Sequence, residues 1–96
     1  MWVSAGKIIL DFHGNLSLKE KRHQMAELLK DLRHKFNVSA LEVADFDDLE
    51  RCVIGLAIAA GTEHGARSAM KKMLEHVDTT SFARVVVEDT DFFGYD

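Results

Sequence analysis

Two segments with helical spacing, set among four strand-like runs, constrain this chain more than any other feature. Between residues 18 and 36, apolar side chains recur at Leu18, Met25, Leu28, Leu29, Leu32 and Phe36; between 62 and 77 they recur at Ala66, Met70, Met73, Leu74 and Val77. Such spacing gives a helix one buried face. Ser17 and Glu20 form the S-x-x-E pattern of a capping box, and Thr62 is placed to cap the second helix. Asn37 is a plausible stop, because Asn tolerates the left-handed backbone found at helix ends. The flanking runs are 2–12 (WVSAGKIILDF), 38–44 (VSALEVA), 52–60 (CVIGLAIAA) and 81–89 (SFARVVVED). Their β-branched and aromatic residues favour pleated, half-buried strands. The HGN stretch at 13–15 reads as a loop.

The order is therefore β-α-β-β-α-β, which predicts an α+β fold: a ferredoxin-like, four-stranded antiparallel sheet with both helices on one face. Residues 1–96 are expected to form a single domain, since so short a chain cannot close a second core. Alternation assigns Ile8, Leu10, Leu41, Val43, Ile54, Leu56, Ile58, Val85 and Val87 to the helix-covered side. The same rule sends Val3, Ala5, Lys7, Ile9, Ala40, Glu42, Ala44, Val53, Gly55, Ala57, Ala59, Phe82, Arg84, Val86 and Glu88 to the open side.

Several classes are disfavoured by composition. No apolar run approaches the roughly 20 residues of a membrane helix, and the N-terminus lacks the basic and apolar regions of a secretory signal. The single cysteine, Cys52, has no internal partner, so a reducing cytoplasmic setting is expected. The chain contains no Pro and six Gly, which argues against a flexible linker.

Charge is unevenly spread. Residues 17–36 hold six basic and three acidic side chains, a local +3 in a chain of net −4, so the remainder carries −7. At 100° per residue, Lys19, Arg22, His23, Ala26, Lys30, Arg33 and His34 fall in one stripe, about 22 Å long from Lys19 to His34. Lys21 lies near the apolar sector, where its stem is expected to snorkel. A row of Lys19, Lys21, Arg22, Lys30 and Arg33 can follow phosphates, with guanidinium groups offering two-point contacts. The helix start adds a partial positive charge. An ordinary solvated face, with Glu20, Glu27 and Asp31 pairing to neighbours, explains the same residues. Both readings stay open.

S-L-K-E-K-R at 17–22, K-F-N-V-S at 35–39 and the R-x-x-x-G at 51–55 together resemble the YlxP-like family of small bacterial proteins, a domain of unknown function. The likeness runs from about residue 2 to residue 88. It implies a ferredoxin-like fold, and because such proteins are commonly encoded beside translation-initiation and ribosome-maturation genes, it implies work on RNA or the ribosome. The motif positions carried over are Ser17, Leu18, Lys19, Glu20, Lys21 and Arg22, then Phe36, Asn37 and Val38. The chain departs from the family at D-D-L-E-R, where many members have a Trp, and in its tail TDFFGYD.

Other chemistry is weakly signalled. His13, His23, His34, His64 and His76 show no H-E-x-x-H pattern, and no metal or cofactor is expected. Asp45, Asp47, Asp48 and Glu50 lack calcium-loop spacing and read as charges that discourage edge pairing. Cys52 opens an apolar strand and reads as a buried thiol. The first loop, FHGNL, lacks the Arg an acylphosphatase needs. On the open face Val3, Ala5, Val53, Gly55, Ala57, Ala59 and Val86 are small or apolar where a solvated face is polar, which marks them as a candidate self-association surface. The leading expectation is a non-enzymatic cytoplasmic RNA- or ribosome-associated factor. A homodimeric interaction module is the main alternative, with a small-ligand sensor of the ACT type or an acyl-phosphate hydrolase behind it.

Overall fold

A computed structural model describes residues 1–12, 17–45, 47–79 and 83–96. His13 and Phe82, singled out above, lie outside the described residues, as does the side chain of Val87. The elements are β1 (Trp2–Phe12), α1 (Leu18–Lys35), β2 (Ser39–Ala44), β3 (Arg51–Ala60), α2 (Glu63–Asp78) and β4 (Ala83–Gly94). Four strands form one sheet in the order β2-β3-β1-β4, and β1 is antiparallel to both β3 and β4, as β2 is to β3. The architecture is α+β.

Both helices begin at the expected caps. Ser17 Oγ accepts from Glu20 N at 3.1 Å, and Thr62 Oγ1 accepts from Gly65 N at 3.0 Å. Each hydroxyl satisfies an amide that the first helical turn leaves unpaired, a contribution of about 1 kcal/mol. The two helices cover one face of the sheet. Met25, Leu28 and Leu32 of α1 and Met70, Met73 and Val77 of α2 join Ile8, Leu10, Ile54, Leu56 and Ile58 in a single buried cluster. Each such side chain stabilises the fold by about 1.5–3 kcal/mol. α2 comes close to β1 at Gly6, where a Cβ would stand 3.2 Å from Met70 Cε and that methyl would have to give by a few tenths of an ångström. Ser4 Oγ donates to Ala66 O at 2.6 Å and pins the same helix to β1.

The alternation expected for β1 and β3 holds; that for β2 is inverted through Glu42, while Ala44, past a register shift, stays on the expected open side opposite Val53. Ala40 pairs with Leu56 and Glu42 with Ile54, residues of the helix-covered side, whereas Leu41 pairs with Gly55 on the open side. Ala40 is accordingly 2% exposed, while Leu41 and Val43 are 51% and 42% exposed. Val43, at a register shift, lies over Gly55, where a Cβ would approach its Cγ1 to 2.9 Å. A second shift falls in β4, where Leu10 pairs with Val85 but Ile9 with Val87. Glu88 consequently stands opposite Ile8 on the helix-covered side, not on the open one.

The tail that departs from the family pattern continues β4. Trp2 pairs with Gly94, and Tyr95 N donates to Met1 O at 2.7 Å. Phe92 faces α2, with the Arg67 guanidinium 4.3 Å from its ring centre, a favourable cation–π placement.

The orientation of β2 is testable by urea denaturation at low micromolar protein. Ala40→Asp places a charge in the core and is expected to cost more than about 3 kcal/mol. Leu41→Asp, on the open side, is expected to change stability by about 0.5 kcal/mol or less. The opposite ranking would show that β2 presents its other face.

Candidate functional site

The outer face of α1 is the strongest concentration of cations in the sequence, and its placement follows from the buried face. Because Met25, Leu28 and Leu32 dock on the sheet, Lys19, Arg22, His23, Ala26, Lys30, Arg33 and His34 all turn to solvent and are exposed. Arg22 approaches Asp47 Oδ1 at 3.2 Å, a pair exposed on both sides and so of small net value. Arg33 donates through Nε and Nη2 to Ala40 O, fixing its stem while the guanidinium remains at the surface. Asp31, the acid nearest the stripe's far end, is held toward α2 by His76 Nε2. That hydrogen bond, more than the nearby cations, holds the Asp31 carboxyl below its usual range.

Lys21 does not belong to this surface. Its side chain is 1% exposed, and Nζ donates to Asp45 O at 2.6 Å and Arg51 O at 2.8 Å. Glu42 Oε1 stands 3.8 Å away. The expectation of a snorkelling lysine that contacts phosphate is therefore corrected: the ammonium turns inward because two strand-end carbonyls and a carboxylate receive it. The same contacts explain why β2 directs Glu42 rather than Leu41 at the helix. A buried cation of this kind gives little local signal, since its partners are separated from it in sequence by more than a helix length.

Cys52 lies beside this cluster and is fully buried. Burial, reinforced by the neighbouring Glu42 carboxylate, pushes its thiol up to about 12. The thiolate is thereby suppressed, as expected of a structural cysteine. Among the described residues, no group of three or more His, Cys, Asp or Glu is placed to hold a metal ion. No described helix is long and apolar enough to cross a membrane.

The proposed self-association residues divide by exposure. Ala57, Ala59 and Val86 are exposed, and Val3, Ala5 and Gly55 are half-buried. Val53 lies on the open face by register but is only 6% exposed, so its neighbours already cover most of it. Leu41, Val43 and Phe93 were missed as members of this surface. Phe93 pairs with Val3 and is 51% exposed.

These features define a small α+β protein with two helices on one sheet face, cations turned outward along the first helix and an open sheet face behind. The family described as "Protein of unknown function (DUF503)" matches residues 3–90, and the chain belongs to it. "Uncharacterized protein YlxP" of Bacillus subtilis (strain 168) is 27% identical over 77 residues, spanning 80% of this chain and 84% of that protein.

Two outcomes follow from the buried cluster. Lys21→Met keeps the stem but deletes the ammonium, and is expected to cost about 2–4 kcal/mol in urea because two carbonyls and a carboxylate lose their partner. Adding Glu42→Leu is expected to recover part of that loss, and simple additivity would argue against a shared cluster. Cys52 is expected to resist iodoacetamide at pH 8 in the folded chain and to react freely in denaturant. Equal rates in the two states would show that the thiol is not sequestered.

Proposed function

We propose that this chain is a non-enzymatic, cytoplasmic, RNA- or ribosome-associated accessory factor whose first helix contacts phosphates. One observation carries the reading: every residue of the stripe from Lys19 to His34 is exposed, while Asp31 is drawn aside by His76. The outward face is thus more cationic than the sequence of α1 suggests. The family resemblance adds the expectation of RNA or ribosome work. We read the sheet order β2-β3-β1-β4, with two helices on one side, as the ferredoxin-like arrangement expected from the element order.

On this reading Lys19, Arg22, Lys30 and Arg33 line one side of a phosphate backbone over about 22 Å. Asp47 holds Arg22 only weakly, so a phosphate can replace it. Contacts of this kind set position and affinity without reading bases. The net negative charge of the whole chain keeps such binding local to the stripe and sensitive to salt.

The test compares ribosomal and total RNA binding across salt for the wild type and a triple variant, Lys19→Glu, Arg22→Glu and Lys30→Glu. Lys21 and Arg33 are left alone because both bond the fold. Wild-type binding should weaken steeply with salt, losing roughly 0.7–0.9 log units per log unit of salt for each phosphate neutralised. The folded variant should lose it. Absent binding, or equal binding by both chains, removes RNA as the partner of this face.

A further inference from the structure

We propose that the strip between α2 and the outer edge of β4 binds an extended peptide segment bearing Lys or Arg, which adds to the sheet as a further strand. β4 ends the sheet order, so among the described residues no strand pairs with its outer side. Every second residue of such an edge turns its N–H and C=O away from the sheet. Past the register shift, the pairing with β1 runs unbroken from Val87 to Gly94, so this stretch of edge is regular. The opposite edge is shorter and already engaged: β2 has six residues, and Ala40 O accepts from Arg33.

A groove of about 300 Å³ runs beside this edge, floored by Met70, Leu74 and Phe92. Arg67 lies over the Phe92 ring at one end, and Met70 and Thr90 converge over Gly6 nearer the middle. α2 therefore runs antiparallel to β4, and its later residues Glu75 and Asp78 meet Glu88 at the other end. Acids on an edge strand are by themselves a common guard against pairing. A guard does not require a groove beside it in which Leu74 and Phe92 are left half-buried.

The occupant follows from charge. Arg67 is committed to Glu63, with Nη2 3.1 Å from Oε1, Arg84 to Asp11 at 3.8 Å, and Asp89 stands opposite Lys7. Around the groove and edge this leaves Glu75, Asp78, Glu88 and Asp91 against Lys71, a local −3. A second copy adding here would set carboxylates against carboxylates, and a nucleic acid has the wrong sign. A strand with Lys or Arg at alternate positions gains backbone hydrogen bonds from the β4 edge. Its aliphatic stems cover Met70, Leu74 and Phe92, and its charged heads reach Glu75, Asp78 and Glu88. Nothing in this depends on what the α1 stripe binds.

The experiment titrates the full chain, to about 500 μM, into a fluorescent, end-blocked peptide of alternating Lys and Val, read by anisotropy. A dissociation constant of about 100 μM or tighter is expected, with slowed amide exchange within Val87–Gly94. Reversing two exposed acids together, Glu75→Lys with Glu88→Lys, is expected to weaken binding at least ~10-fold. Pro in place of the peptide's middle Val is expected to weaken it at least ~10-fold too, by removing a backbone donor and straining the added strand. Circular dichroism should remain that of the wild type; if the double variant loses it, Glu75→Lys alone carries the comparison. No binding of the Lys–Val peptide overturns the proposal. Binding that the Pro leaves unchanged overturns it by showing an ionic contact without strand addition. Binding unchanged in the folded variant overturns it equally, by placing the peptide elsewhere.

Discussion

The buried ammonium of Lys21 ties the first turns of α1 to the neighbouring ends of β2 and β3. It rises from the first turns of α1, donates to the carbonyl of Asp45 where β2 ends, and donates to that of Arg51 where β3 begins. The connection between those strands is acidic, with Asp47, Asp48 and Glu50, and its Leu49 is 44% exposed. Asp45 itself adopts a left-handed backbone, φ 59°, a conformation Asp tolerates better than most residues. With Glu42 as the third neighbour, β2 has only one way to face. A buried cation adds less to stability than a matched apolar group would, but it is far costlier to leave without partners. Its value here is in specifying which face of β2 meets the helix.

That dependence explains what could and could not be seen in the amino-acid order. Helix starts were legible because Ser17 and Thr62 act on amides three residues away. The core faces of β1 and β3 were legible because large apolar residues stand at every second position, Ile8 and Leu10 in one and Ile54, Leu56 and Ile58 in the other. In VSALEVA, by contrast, simple hydrophobicity favours burying Leu41 and Val43, and the structure buries Ala40 and shelters Glu42 instead. The deciding interaction comes from Lys21, on another element. The register shift in β4 was hidden by three consecutive valines, any of which fits either face. The extension of the fourth strand past residue 89 gave no local signal, because its partner, the start of β1, lies at the opposite end of the sequence.

The block S-L-K-E-K-R at 17–22 therefore splits by physical task within six residues. Ser17 and Lys21 build the fold, one as a cap and the other as a buried clasp, while Lys19 and Arg22 point to water. Helical geometry enforces the division: Lys21 lies about 160–200° around the axis from Lys19 and in the middle of the docked face. A charge count along the sequence merges these roles. Only the packing of Met25, Leu28 and Leu32 separates them.

The place of β1 in the sheet also sets an order of events during synthesis. β1 is made before the other three strands, yet it lies at the centre, hydrogen-bonded to β3 on one side and to β4 on the other. Its second edge stays open until Ala83–Gly94 has emerged, because Trp2 has no partner on that side before Gly94 exists. A chain in which β4 has yet to form thus carries an unpaired strand edge at the centre of its sheet, a state prone to pairing with other chains. The strand latest in sequence completes the centre of the sheet, so a chain cut before Ala83 would leave β1 with one edge exposed.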